Sequence, residues 1–147
     1  MNKKGFTLIE VIMVIAIIAI LSIILAPNVM VLINKNNERS CEKLIDNIKS
    51  AAKMYVNQNK YELGFDCDDN KTKGITLETL VNAGYLGGDI LKNEEYPFGY
   101  IVNPVGNTKI DLDNEENKVS VTYNCVNKTF TYVVKGIKCS EQGKWLA

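Results

Sequence analysis

Residues 3–26 read KKGFTLIEVIMVIAIIAILSIILA, and this stretch decides the fold of the N-terminal part of the chain. Two lysines and a glycine precede an apolar run of about 21 residues, roughly the number that crosses a bilayer as a helix. The run contains a single charged group, Glu10. Because a carboxylate in such a span is costly unless it has a partner, the stretch predicts a hydrophobic helix whose one acid pairs with an amine.

The same residues resemble the N-terminal signature of type IV pilins and of the related pseudopilins of type II secretion and competence. The matching residues are Lys3, Lys4, Gly5, Phe6, Thr7, Leu8, Ile9, Glu10 and Pro27. In that family a prepilin peptidase cuts after the glycine, and the new N-terminal phenylalanine is methylated. The resemblance therefore implies a leader of residues 1–5, cleavage between Gly5 and Phe6, and N-methylphenylalanine at Phe6.

Glu10 and Pro27 are the residues expected to matter for assembly. Cleavage after Gly5 frees an amine at Phe6, and Glu10 lies one helical turn along on the same face. In a bundle of such helices, Glu10 of one subunit neutralises the amine of a neighbour. A buried pair of this kind sets register more than it adds adhesion. Pro27 removes a backbone hydrogen bond and predicts a kink at residues 23–28.

The chain is predicted to have three parts. The resemblance implies the leader 1–5, and hydropathy divides the rest into a hydrophobic transmembrane and assembly helix 6–33 and a globular head 34–147. The positive leader is expected to stay in the cytoplasm, which sends the head across the membrane. The 147 residues carry 17 basic and 17 acidic side chains, so nothing favours nucleic acid as a direct partner.

Four cysteines, Cys41, Cys67, Cys125 and Cys139, lie in the exported part and predict two disulfides. A zinc site is the rival interpretation, but the chain has no closely spaced cysteine pair and no histidine. Three connectivities are open. The shortest loops favour Cys41–Cys67 and Cys125–Cys139, and the second pair resembles the disulfide-bounded C-terminal region of many pilins.

The sequence of the head predicts an amphipathic helix followed by β structure. The apolar positions Leu44, Ile45, Ile48, Ala52, Tyr55 and Val56 recur at helical spacing. Residues 60–75 read as a loop, after which Thr76 predicts an N-cap for a short helix that stops at Gly84. Strands are expected near 100–102, 108–112, 119–126 and 129–135. The single tryptophan, Trp145, is expected to pack on the head.

The last two strands predict a hairpin with a two-residue turn at Asn127 and Lys128. This register pairs Tyr123 with Tyr132 and Val121 with Val134, on one face of the sheet. The expected class is α+β: a long kinked N-terminal helix, with its hydrophobic half protruding, packed on a small antiparallel sheet, as in the pilin fold.

A linker between the short helix and the sheet carries a second resemblance. Gly84, Tyr85, Leu86, Pro97, Gly99 and Tyr100 resemble the linker of secretion-type pseudopilins and Gram-positive pilins. A later acidic cluster, Asp111, Asp113 and Glu115, is a weak calcium candidate, for which a solvated turn is the preferred interpretation. No other metal site and no cofactor are expected.

The sequence predicts a structural protein rather than an enzyme, because no catalytic constellation is present. The expected role is a subunit of a type IV pilus, first in the cytoplasmic membrane and then in a surface filament for adhesion, motility or aggregation. Its partners would be further copies of itself, the prepilin peptidase and, by resemblance, an assembly ATPase and a platform protein. The alternatives are a pseudopilin and a monomeric membrane-anchored binding domain.

Overall fold

A computed structural model of the chain describes residues 6–65 and 72–140, apart from the side chains of residues 24–28. The elements are α1 Leu8–Gln58, β1 Thr72–Thr76, α2 Leu77–Asn82, β2 Tyr100–Val102, β3 Lys109–Asp111, β4 Lys118–Asn124 and β5 Thr129–Val134. The chain divides into two compact units, Met1–Asn36 and Asn37–Ala147. The long helix and the antiparallel strands confirm the predicted α+β class.

The helix α1 is the longest element, with 51 residues. It continues through Pro27, so the proline does not end the helix. The kink expected at residues 23–28 stays a prediction. At the other end, the backbone N–H and the side-chain amide of Asn59 both donate to the Tyr55 carbonyl, at 3.0 and 2.9 Å.

Apolar side chains dominate the part of α1 in the first unit, and those that the structure describes are exposed. Between residues 6 and 65 and between 72 and 140, no helix has both the length and the apolar character of a membrane span.

In the second unit, one face of α1 forms a wall of the hydrophobic core. The buried positions are Cys41, Ile45, Ile48, Ala51, Ala52 and Val56, at the helical spacing that the sequence indicates. They belong to one cluster with Leu77 and Leu80 of α2, Leu112 after β3, and Val119 and Val121 of β4. The amphipathic helix therefore packs against the sheet, as predicted, and the short helix α2 belongs to the same core.

The strands form two antiparallel sheets. The first has three strands in the order β1-β4-β5, and the second consists of β2 and β3. The four predicted strands are present, but the prediction of a loop over residues 60–75 is wrong at its end, where β1 pairs with β4. The missing side chain at Gly74 leaves room for the side chain of Lys118, because a Cβ atom there would lie 2.9 Å from its Cδ.

The predicted register of the last hairpin is wrong by two residues. Tyr123 pairs with Phe130 and Val121 pairs with Tyr132, so four residues, 125–128, join the strands. A shift of two residues keeps each side chain on the same face of a sheet. Val121 is accordingly buried, while Tyr123, Phe130 and Tyr132 are half-buried.

The side chain of Asn124 accounts for the longer turn. Its Oδ1 accepts from the backbone N–H of Val126 at 3.0 Å and of Asn127 at 3.2 Å. Such bonds from an asparagine to the following backbone stabilise a turn directly after it. Lys128 completes the turn with a φ of 54°.

The short helix α2 begins and ends as predicted. The Thr76 hydroxyl accepts from the N–H of Thr79 at 3.2 Å, which caps the first turn. Gly84 has a φ of 77°, and the N–H groups of Tyr85 and Leu86 both donate to the Leu80 carbonyl, at 3.0 and 3.1 Å. This C-terminal turn directs the chain into the loop before β2.

The predicted cysteine pairing is wrong for Cys41 and Cys139, which are bonded to each other. Their Cα atoms are 5.4 Å apart although the residues are separated by 98 positions. Loop length is a weak criterion, since each doubling adds only about 0.6 kcal/mol of closure entropy. The turn at Gly136, with a φ of 86°, leads the chain from β5 back to α1. Cys125 is also disulfide-bonded, and Cys67 lies outside the described residues.

Candidate processing and assembly site

The residues that follow the predicted cleavage site precede the helix. Gly5 lies outside the described residues. Phe6 and Thr7 are described, and neither is helical. The Phe6 side chain is 88% exposed. Phe6 therefore precedes the hydrogen-bond ladder of α1, which begins where the Thr7 carbonyl accepts from the Val11 N–H at 3.3 Å.

Thr7 and Glu10 form a reciprocal cap at the start of α1. The backbone N–H of Thr7 donates to Glu10 Oε2 at 2.9 Å, and the Thr7 hydroxyl donates to the same oxygen at 2.8 Å. In return, the Glu10 N–H donates to the Thr7 hydroxyl oxygen at 3.4 Å. This is a capping box, in which the N-cap residue and the third helical residue satisfy each other's backbone donors.

The capping role of Thr7 was not predicted, although the residues that indicate it lie close together in the sequence. A threonine followed three positions later by a glutamate, just before an apolar run, is typical of a capping box. Glu10 therefore has a partner within its own chain, in addition to the amine predicted for it in a neighbour. A carboxylate offers about four acceptor positions, more than Thr7 occupies.

Glu10 has no cationic side chain near it along the helix. The sequence between Glu10 and Lys35 contains no charged residue, and Glu10 itself is exposed. Its negative charge faces the positive end of the α1 dipole, which favours an acid in the first turn. If apolar material covers this part of α1, the carboxylate requires a cation from a chain terminus or from another molecule.

The first unit exposes apolar side chains in every direction around α1. Five consecutive residues, Val11 to Ile15, are each 51–61% exposed, and consecutive helical residues point about 100° apart. Exposed apolar side chains are found again from Val29 to Ile33, which is 49% exposed. A helix that is apolar all round is normally buried, so this surface needs several neighbours rather than a single docking partner.

The remaining predicted site residues lie apart from this region or outside the description. The backbone of Pro27 is helical, and its side chain is not described. Asp111 Oδ1 accepts from the N–H of Asp113 at 3.2 Å, a turn-forming bond, and Glu115 is exposed. Across the two described ranges, no three acidic, cysteine or histidine side chains are grouped closely enough to hold a metal ion.

Comparison with protein families finds a match at the N-terminus. Residues 1–26 match the family model described as the prokaryotic N-terminal methylation motif. The matched residues include Gly5, Phe6, Thr7 and Glu10, and they end before Pro27. Neither the curated proteins nor the solved structures contain a match to the chain.

Proposed function

Because residues 1–26 carry the signature of type IV pilins and pseudopilins, we propose that this chain is a structural subunit of a type IV pilus. The signature indicates a substrate of a prepilin peptidase, made as a membrane-anchored precursor and assembled outside the cytoplasm. The proposal adds that copies of the chain form a surface filament for adhesion, motility or aggregation.

The observation that carries the proposal is the apolar surface that surrounds α1 from Leu8 to Ile23 and again from Val29 to Ile33. A soluble monomer does not leave so much contiguous apolar surface in water. Lipid covers this surface in the precursor. Once the helix leaves the membrane, the same surface requires an equally apolar environment, and a bundle of identical helices provides it on all sides.

The proposed maturation begins with cleavage between Gly5 and Phe6. Hydrolysis of this peptide bond leaves a carboxylate on Gly5 and frees the α-amino group of Phe6. In its neutral form this amine attacks the methyl group of a methyl-donor cosubstrate, which leaves with the electrons of the broken bond. The methylated amine retains its positive charge at neutral pH. In the growing bundle, this amine pairs with the Glu10 carboxylate of a neighbouring copy, which fixes the axial position of the incoming subunit.

The cap on α1 prepares Glu10 for this pairing. Thr7 fixes Oε2 of Glu10 beside the helix start through the bonds of 2.9 and 2.8 Å. Because the carboxylate is held, less side-chain entropy is lost when the neighbour's amine binds. An assembly ATPase and a platform protein, expected by resemblance, would supply the work that extracts the helix from the membrane.

The first experiment is the intact mass and N-terminal sequence of the protein recovered from the cell surface. The expected chain begins at Phe6 and carries one added methyl group. A chain that still begins at Met1 would contradict the maturation step, and it would favour a monomeric membrane-anchored binding domain.

A pseudopilin of a secretion or competence machine is the second candidate. The observation that favours it is the linker containing Gly84, Tyr85 and Leu86, which follows α2 and resembles that of secretion-type pseudopilins. Electron microscopy of the native host separates the candidates. Long filaments that an antibody to the head labels along their length support the pilus, whereas their absence from cells that process the protein supports the pseudopilin.

A further inference from the structure

Two tyrosine rings and a carboxylate in the second unit surround the ammonium group of Lys109. The Nζ atom of Lys109 lies 5.1 Å from the ring centroid of Tyr96 and 5.1 Å from that of Tyr100, and the two centroids are 5.2 Å apart. Glu95 Oε2 lies 3.5 Å from the same nitrogen. Tyr96, Tyr100 and Glu95 therefore form an aromatic cage, the kind of site with which proteins recognise organic cations.

Hydrogen bonds fix the backbone that carries the two rings. Tyr100 begins β2, where its N–H donates to the Leu91 carbonyl at 2.8 Å and its carbonyl accepts from the Leu91 N–H at 3.0 Å. The Tyr96 N–H donates to Asn93 Oδ1 at 2.8 Å, and the Tyr96 carbonyl accepts from the Gly99 N–H at 3.1 Å. Because the cage is held in place without a ligand, little conformational entropy is lost when a ligand binds.

Negative charge exceeds positive charge at the cage. Tyr100 pairs with Asp111 in the second sheet, and Lys109 precedes Asp111 by two positions, so these three side chains lie on one face. Partial burial, and then the negative charges of Glu95 and Asp111, raise the pKa of Tyr96 above its usual 10.0. Two carboxylates thus act on a site that holds one ammonium group, and their combined charge favours a cationic ligand.

The distances at the cage are longer than a lysine ammonium group requires. A charge-assisted hydrogen bond from an N–H to a carboxylate usually measures about 2.7–2.9 Å, whereas Lys109 Nζ lies 3.5 Å from Glu95 Oε2. A methyl group between the nitrogen and a ring would place them about 5 Å apart, because non-bonded carbons pack at about 3.5–4.0 Å and a carbon–nitrogen bond adds about 1.5 Å. The distance of 5.1 Å to both rings therefore suits a nitrogen that carries methyl groups.

Lys109 can leave the cage without any change in the sheet. Its side chain is 40% exposed, and that of Glu95 is 68% exposed. Ion pairs and cation–π contacts at exposed sites are weak, and the lysine side chain is flexible. Lys109 is therefore a competitor within the chain, because a ligand binds only those molecules in which this side chain has turned into solvent.

We propose that the cage of Tyr96, Tyr100 and Glu95 binds a quaternary ammonium group, and that Lys109 occupies the cage when the ligand is absent. The ligand is a trimethylammonium group of the choline type, either in a free cation or in a headgroup. A quaternary nitrogen has no N–H group to satisfy, so the two rings and the carboxylate supply all that it requires. The site lies in the second unit, and the proposal does not depend on filament assembly.

Titration of the full chain in a non-ionic detergent with tetramethylammonium chloride tests the proposal. Saturation-transfer NMR detects binding through the methyl protons of the cation, and sodium chloride keeps the ionic strength constant. Lys109→Ala removes the competitor and should bind the cation roughly tenfold more tightly than the wild type. Lys53→Ala is the matched control, because Lys53 lies over a single ring, that of Tyr132, at 5.9 Å. This control should bind like the wild type.

Substitutions within the cage, each combined with Lys109→Ala, form the second part of the experiment. Tyr96→Phe retains the ring and should retain binding, whereas Tyr96→Leu should lower the affinity roughly tenfold. Glu95→Gln should also weaken binding, and its exposed side chain makes it decisive if Tyr96→Leu proves to be misfolded by circular dichroism. Choline and phosphocholine are then titrated in the same way: binding of both supports a headgroup ligand, and binding of choline alone supports a free cation.

Three results would overturn the proposal. The first is Lys109→Ala that binds tetramethylammonium no more tightly than the wild type or Lys53→Ala. The second is binding that neither Tyr96→Leu nor Glu95→Gln weakens, because the cation would then lie elsewhere on the protein or in the detergent. The third is ammonium chloride that displaces tetramethylammonium at an equal concentration, which would show that the cage does not select a methylated nitrogen.

Discussion

The two roles of Glu10 can be separated by substitutions at Thr7 and at Glu10. Glu10 caps α1 within its own chain and, in the proposed filament, neutralises the amine of a neighbour. Glu10→Gln retains a capping side chain, because glutamine also serves in a capping box, but it removes the charge. Thr7→Ala does the opposite: it weakens the cap and leaves the carboxylate in place.

The expected magnitudes differ enough to be distinguished. Thr7→Ala removes the hydroxyl bonds of 2.8 and 3.4 Å and keeps the backbone bond of 2.9 Å. Loss of an N-cap hydroxyl costs about 1 kcal/mol, so filament yield should fall about fivefold. Glu10→Gln leaves the neighbour's amine unpaired in apolar surroundings, and incorporation should fall roughly 100-fold to 1,000-fold.

The assay is the amount of sheared filament per cell, normalised to processed subunit. N-terminal sequencing must first show that each variant is cleaved after Gly5. Thr7→Ser is the rescue variant, because it restores the hydroxyl, and Glu38→Ala is the control for loss of an exposed acid from the same helix. If Glu10→Gln assembled like the wild type while Thr7→Ala did not, capping would be the whole role of Glu10 and the charge-pairing argument would fail.

Three further predictions concern the head. Non-reducing peptide mapping should recover Cys41 linked to Cys139, and Cys41→Ser should lower unfolding free energy by about 2–5 kcal/mol; recovery of the two cysteines in separate linkages would refute the fold of the C-terminal segment. Gly136→Ala should destabilise the head more than Gly84→Ala in thermal unfolding. An added Cβ atom would lie 2.1 Å from Oδ1 of Asn117 at Gly136, whereas it would meet nothing within 4 Å at Gly84. Equal losses of stability would contradict the packing around Gly136. Burial raises the pKa of Tyr132 above its usual 10.0, so the stability that its neutral form contributes is present below pH 10 and is lost as the pH rises through the raised pKa. Tyr132→Phe should therefore reduce the loss of stability at alkaline pH. An unchanged dependence of stability on pH in this variant would contradict the role of Tyr132.

Local patterns predicted the elements of the head well. The spacing of Ile48, Ala52 and Val56 defines the buried face of α1, and Thr76 and Gly84 define the ends of α2. Each of these signals acts within one or two turns of chain, so no knowledge of the tertiary structure is needed. The capping role of Thr7 belongs to the same class, and its pattern could have been recognised from the sequence alone.

The features that could not be predicted depend on contacts between distant residues. Gly74 lies in a polar stretch with weak strand propensity, and β1 forms because β4 offers a partner. The hairpin register depends on one side chain, Asn124, which bonds two N–H groups of the turn. The link between Cys41 and Cys139 follows from the return of the chain to α1 after β5.

That disulfide also determines how the head responds to mechanical load. It joins positions 98 residues apart, so a tension applied between the start of α1 and any point beyond Cys139 passes through a covalent bond. Within this closed loop, α2 and all five strands are shielded from that tension. Stretching the same loop open would otherwise release roughly 330 Å of chain at about 3.4 Å per residue. A filament built from such subunits would bear tension without extension of the chain inside its heads.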